Sequence, residues 1–278
     1  MTLPSLPKLT PAQRTAATIL GAVILIGGVA YSVSRLNIGW ADIETTPLLI
    51  NLLFVQPAIV ALSAITLRLS GLAVGADSGL MPAARAVGYA TFAEILPLPG
   101  GALVRGAALM RAGADLGRAA RIVTVTALLS LALIVLVAAS ALYLLGTPQA
   151  LPLIVAGLIG TLVFAWRIHR TAGLPLTAAI IAIRLGTVAA SGVSVYLALR
   201  TLSEPGTLIE ALIVSVSGTL GSVVTIVPAG LGIGEGIAAA LATLTGIAPA
   251  AAFLALALHR TLALLASLVA ALWPGPRA

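Results

Sequence analysis

The chain is poor in charge. Only 8% of its 278 residues are charged, whereas soluble domains average about 25%. So few polar groups cannot cover a surface that faces water, which excludes a soluble enzyme, a disordered protein and a nucleic-acid binder. Cysteine is absent, which excludes disulfides and thiolate metal sites. With only two histidines, we expect neither a metal nor a cofactor.

Apolar residues dominate instead. They make up 60% of the chain, the mean hydropathy is +1.16 and there are 28 glycines; small residues let helices pack closely in lipid. Uncharged runs near the about 20 residues that cross a bilayer predict a single all-α, polytopic membrane domain over residues 1–278. The six predicted full spans are 15–34, 45–67, 122–145, 151–166, 175–199 and 249–273. In the second span, Pro57 should cause a kink, and Asn51 and Gln56 should face protein.

Two further apolar regions are interrupted. Segments 86–98 and 102–110 are each shorter than the about 20 residues of a spanning helix, and a Pro-Gly break at 97–101 separates them. In the second half, segments 207–227 and 233–244 flank a similar break at 228–232. Each pair is predicted to form a re-entrant helical hairpin.

The order of elements repeats. Repeat 1 covers about residues 15–146 and repeat 2 about residues 150–273, and each has three full spans and one hairpin. Because three is odd, the two copies must lie in opposite orientations, which is the inverted-repeat plan of many secondary transporters.

The basic residues predict the orientation. With a cytoplasmic N-terminus, only Arg35 and Arg200 lie outside, in agreement with the positive-inside rule. We therefore expect a multi-pass protein of the cytoplasmic membrane. The ten residues on the inside are Lys8, Arg14, Arg68, Arg85, Arg111, Arg118, Arg121, Arg167, Arg170 and Arg277.

Five charges remain at membrane depth. The positive charges are those of Arg105, Arg184 and Arg260, and the negative charges are those of Glu94 and Glu235. Each charge costs about 2.5–3.5 kcal/mol at the bilayer centre unless it is paired or serves a substrate pathway. The excess positive charge favours an anionic ligand such as a phosphate, which the planar guanidinium matches well.

The glycines at the two breaks complete the predicted substrate site. Gly100, Gly101, Gly230 and Gly232 allow close approach of a ligand, and helices that begin at mid-membrane point free N–H groups into the site. Glu235 belongs to the same predicted set. Glu94 and His259 are candidates for carrying coupling protons.

Simpler roles stay open. Arg184 and Arg260 could pair with Glu235 and Glu94 as ties between helices. Arg105 could extend to the membrane surface, and His259 could be a packed polar residue.

The motifs LPLPGGALVR (residues 96–105) and VPAGLGIGE (residues 227–235) resemble those of the lysylphosphatidylglycerol synthase transmembrane family, whose members are flippase-like. The resemblance covers nearly the whole chain, and the late Arg260 also fits it. It implies movement of phospholipids between leaflets, with Arg105, Glu235 and Arg260 as functional positions. No segment has the size of the family's soluble synthase domain, so aminoacyl transfer is not implied.

The expected function is therefore flipping of an anionic phospholipid. One alternative is a DedA-like carrier of polyprenyl phosphate, which also uses paired re-entrant hairpins. Another is a membrane subunit of a cell-envelope complex that does not transport. An enzyme is disfavoured, because His259 with Glu235 is the only candidate for a base and its partner.

Overall fold

The computed structural model describes residues 11–37, 39, 42–94, 100–223, 230 and 232–273, and within these ranges every regular element is helical. The two predicted breaks, at 95–99 and at 224–229 with 231, and both terminal tails lie outside the described residues. The α-helices are α1 (Pro11–Leu36), α2 (Thr45–Ile50), α3 (Gln56–Leu72), α4 (Leu80–Ala93), α5 (Gly100–Arg111), α6 (Leu116–Leu144), α7 (Leu151–Thr201), α8 (Leu208–Val223), α9 (Ile233–Ala242) and α10 (Pro249–Leu272).

Four helical stretches in the described part are long and apolar enough to cross a membrane: Thr45–Leu72, Leu116–Leu144, Pro148–Thr201 and Pro249–Leu272. Large apolar side chains such as those of Ile26 and Phe54 are 69% exposed on the outside of the bundle. Such a surface is favourable against hydrocarbon rather than water. These helix lengths and this apolar surface confirm the prediction of a helical membrane protein.

The stretch Thr45–Leu72 contains a π-helical turn, Asn51–Val55, between α2 and α3. Gln56 follows the turn and Pro57 comes next, and the backbone N–H of Gln56 donates to the carbonyl of Asn51, five residues back. The widened turn lies where a kink at Pro57 was predicted. Asn51 and Gln56 are both 0% exposed, so the prediction that they face protein is confirmed.

Helix α7 is continuous by hydrogen bonding but is broken at Gly173, whose φ of 77° is not helical. Its 51 residues would extend about 76 Å if straight. In the first arm, residues 151–172, Gly160 packs on Ala132 of α6. In the second arm, residues 174–201, Arg184 faces the same stretch of α6 across a cavity. The two arms therefore fold back on one another where the sequence predicted two spans.

Apart from α2, which continues into α3, four helices are shorter than a spanning helix over their described residues. Helices α4, α5, α8 and α9 have 14, 12, 16 and 10 residues, which at 1.5 Å per residue is about 15–24 Å against a hydrocarbon core of about 30 Å. Residues of α4 and α5 pack with α3, α6 and α7 in one apolar core. Residues of α8 and α9 pack with α7 and α10 in a second core.

Gly88 allows α4 to pack directly on α10. A Cβ at this position would lie 2.6 Å from the carbonyl oxygen of Ser267 and 2.8 Å from the backbone nitrogen of Ala271. We expect Gly88→Ala to lower the free energy of unfolding by about 1–3 kcal/mol, because the backbone must move to admit the methyl group. Thermal unfolding in detergent measures this.

Gly106→Ala is the matched control, since a Cβ there meets no atom within 4 Å. Its effect should be neutral or stabilising by up to about 1 kcal/mol through helix propensity. Equal effects of the two substitutions would contradict the close packing of α4 on α10.

Candidate functional site

A cavity of about 460 Å³ lies between the end of α4, α5, α6, the second arm of α7 and α8. Three charged side chains line it, from Glu94, Arg105 and Arg184. Six serine and threonine residues also line it: Ser130, Thr187, Ser191, Ser215, Thr219 and Ser222.

The hydroxyl groups reach the cavity because of their helical spacing. On α7, Thr187 and Ser191 follow Arg184 by three and seven residues, which places them on one face of the helix. On α8, Ser215, Thr219 and Ser222 follow the same rule, at intervals of four and three. Sequence analysis missed these residues, although this spacing was a readable signal.

Glu94 and Arg105 close the α4–α5 pair. Glu94 follows the last residue of α4, and its Oε1 accepts a hydrogen bond of 3.0 Å from Nη2 of Arg105 on α5. The two side chains are 40% and 35% exposed, because both face the cavity. Arg105 is thus paired beside the cavity rather than isolated at a membrane surface.

Arg184 has no carboxylate partner. All eight Asp and Glu residues of the chain lie in the described part, and none forms an ion pair with Arg184 there. Its Nε is buried and has no hydrogen-bond partner among the described residues. With Arg105 neutralised by Glu94, the cavity carries one net positive charge, at Arg184.

Arg260 is held by three groups away from the cavity wall. Its Nη1 lies 3.2 Å from Oε1 of Glu235, and its two Nη atoms donate to the carbonyl oxygens of Gly218 and Gly230 at 3.2 and 3.3 Å. Glu235 is 0% exposed. Its Oε1 is close enough to Arg260 for an ion pair, although the angle is poor for a hydrogen bond. Arg260 therefore joins α8, α9 and α10.

The four predicted glycines pack within the α4–α5 and α8–α9 helix pairs and are not among the residues that line the cavity. A Cβ at Gly101 would collide with the carboxylate of Glu94, and one at Gly230 with the backbone of Gly221. Gly232, with φ of 77°, precedes α9, and its N–H donates to Oε2 of Glu235 at 2.7 Å. Like Gly101, Gly100 approaches the end of α4 closely. The first turns of α5 and α9 thus lie beside the chain's own carboxylates.

His259 belongs to a separate buried polar network. Its Nδ1 lies 2.7 Å from Oγ of Ser194 and 3.3 Å from Nε2 of Gln56. Asn51 Nδ2 donates to the backbone carbonyl of Ser194 at 2.9 Å. These groups join the π-helical turn to α7 and α10. Coupling roles for His259 and for Glu94, which faces the cavity, stay predictions.

Comparison of the chain with protein-family models, curated proteins and solved structures found no match. The resemblance to a flippase-like family therefore stays a prediction.

The two Glu–Arg pairs differ in burial, and their removal should differ in cost. We expect Glu235→Gln to lower the free energy of unfolding by about 3–5 kcal/mol, because it leaves the Arg260 charge buried without its partner. Glu94→Gln should cost about 1 kcal/mol or less, since its pair is solvated from the cavity. Chemical unfolding in mixed micelles measures both.

Adding Arg260→Gln to Glu235→Gln should recover part of the loss, because the stranded charge is then removed. Equal costs of the two single substitutions would show that burial of the Glu235 pair does not determine its contribution to the free energy of unfolding.

Proposed function

We propose that the protein is a membrane transporter of the flippase type that moves an anionic phospholipid between leaflets, with the headgroup in the central cavity. The observation that supports this is the unpaired guanidinium of Arg184 beside a cavity rich in hydroxyl groups. An uncompensated charge at this depth costs about 2.5–3.5 kcal/mol. A phosphate bound to Arg184 would offset that cost.

The chemistry of the wall suits a phosphodiester. A guanidinium offers a planar pair of donors to two phosphate oxygens. The hydroxyls of Ser191 and Thr219, which donate to no other described group, can donate to the remaining oxygens. The other four hydroxyls already donate to carbonyl oxygens of their own helices. The single net positive charge of the cavity balances the single negative charge of a phosphodiester headgroup. The volume of about 460 Å³ lies in the about 300–1,000 Å³ range of small-ligand sites.

The wall also suits a ligand with lipid tails. Ala127 and Leu128 line the cavity and are both exposed, and Leu128 also lines an apolar groove between α6 and the first arm of α7. A headgroup could therefore occupy the cavity while its acyl chains stay in the surrounding hydrocarbon. An apolar opening of this kind favours a lipid over a soluble substrate.

We further propose six full spans and two re-entrant hairpins, α4–α5 and α8–α9, in an inverted repeat. The full spans are α1, α2 with α3, α6, the two arms of α7, and α10. The short lengths of the hairpin helices and their separate apolar cores support this arrangement. It gathers seven described arginines at one end, which we assign to the cytoplasm of a cell membrane: Arg68, Arg85, Arg111, Arg118, Arg121, Arg167 and Arg170.

Loss of Arg184 should slow transport without harming the fold. We expect Arg184→Gln to slow flipping by about tenfold or more, because a hydrogen bond to a charged group contributes about 1.5–3 kcal/mol. Its thermal stability should equal or exceed that of the wild type, because an unpaired charge leaves the interior. Dithionite quenching of fluorescent phosphatidylglycerol in proteoliposomes measures flipping.

The matched control is Arg200→Gln, since Arg200 is exposed and contacts only Tyr196 among the described side chains. It should flip lipid at the wild-type rate. Equal flipping of phosphatidylcholine would contradict selectivity for anions. Unchanged flipping by Arg184→Gln would contradict the proposal, and a preference for polyprenyl phosphate would favour the DedA-like alternative.

The absence of cysteine makes the topology directly testable. Single substitutions Ser78→Cys and Gly113→Cys flank α4–α5, and Ser203→Cys and Thr243→Cys flank α8–α9. A membrane-impermeant maleimide should label the first pair only from the cytoplasmic side and the second pair only from the outside. If the two members of a pair react from opposite sides, that hairpin crosses the membrane and the topology is wrong.

A further inference from the structure

A second basic site lies at one end of the bundle, outside the central cavity. A crevice of about 470 Å³ opens where α3 ends, α6 begins and the first arm of α7 ends. Arg118, Arg121 and Arg167 line it together with Thr171, and the floor includes the buried apolar residue Ile168.

The two carboxylates at this end are already paired. Asp115 binds Arg118 at 3.0 Å, and Asp77 binds Arg68 at 3.0 Å. The hydrogen bond from Arg68 holds the pKa of the Asp77 carboxyl below its usual value, so it stays ionised beside that arginine. Since all eight acidic residues are in the described part and none pairs with Arg121 or Arg167 there, these two guanidinium groups face the crevice uncompensated.

An apolar groove continues from the same two arginines. It has a volume of about 530 Å³ and runs between α6 and the first arm of α7. Arg121 and Arg167 line its wall as well, and Leu128, Val163 and Phe164 line the apolar remainder. Two cations at one end of an apolar groove match a phospholipid, which has an anionic phosphate headgroup and an acyl chain.

The depth of the arginines is that of lipid headgroups. Helix α6 has 29 residues, or about 43 Å, which exceeds the hydrocarbon core of about 30 Å. Its first turns therefore extend into the headgroup region, and Arg121 is its sixth residue. Arg170 lies 5.1 Å from the ring centroid of Trp166, and tryptophan is enriched at this interface.

We propose that Arg121 and Arg167 form a binding site for a phospholipid with a doubly charged phosphomonoester headgroup, whose acyl chain lies in the groove between α6 and α7. Two unpaired cations match a dianion, whereas the central cavity carries a single excess charge. Basic pockets between membrane helices on the cytoplasmic side are suited to such headgroups. This site does not depend on the proposed transport activity.

Native mass spectrometry of the full chain in detergent, titrated with phosphatidate, tests the site. All variants carry Arg184→Gln, so that the central cavity does not contribute. Adding Arg121→Gln and Arg167→Gln should weaken phosphatidate binding about 30-fold, because each basic side chain near an anionic surface contributes about a factor of five. Adding Arg35→Gln and Arg200→Gln instead, at the opposite end, should leave binding unchanged.

Two further arms identify the ligand and check the fold. Replacing Arg121 and Arg167 by Lys should retain most of the binding, since both charges remain, which separates lost charge from misfolding. Phosphatidylcholine of the same chain length should bind weakly, and soluble glycerol 3-phosphate should not displace phosphatidate. Unchanged phosphatidate binding after loss of both arginines, or ready displacement by glycerol 3-phosphate, would overturn the proposal.

Discussion

The cost of placing charge in hydrocarbon determines the arrangement of this protein's interior. Of the five charged side chains expected at membrane depth, four form two ion pairs, Glu94 with Arg105 and Glu235 with Arg260. The first pair connects the end of α4 to α5, and the second connects α9 to α10. Arg184 is left over, and the cavity beside it is where a ligand can supply the missing negative charge.

The same pairs decide which groups are available to a ligand. A helix that begins inside a membrane offers free N–H groups and a positive dipole end. Here the carboxylates of Glu94 and Glu235 already lie at the first turns of α5 and α9. We therefore expect an anion to bind at Arg184, beside the cavity, rather than at the glycines of these first turns.

The central cavity and the basic crevice are neighbours along α6. The apolar groove below Arg121 and Arg167 extends to Leu128, which also lines the central cavity. A lipid held at the end of the bundle would thus lie beside the opening of the cavity. The two sites differ in excess charge, with one unpaired guanidinium in the cavity and two in the crevice, so they should prefer headgroups of different charge.

The sequence by itself determined the helical membrane character, because this follows from hydropathy and the scarcity of charged residues. It could also place Asn51 and Gln56 toward protein. Which carboxylate pairs with which arginine, and therefore that Arg184 rather than Arg260 faces the cavity unpaired, was decided only by the tertiary structure. The physical reason is that an ion pair acts over a few ångströms, and only the packing of α8, α9 and α10 brings Glu235 and two backbone carbonyls to Arg260.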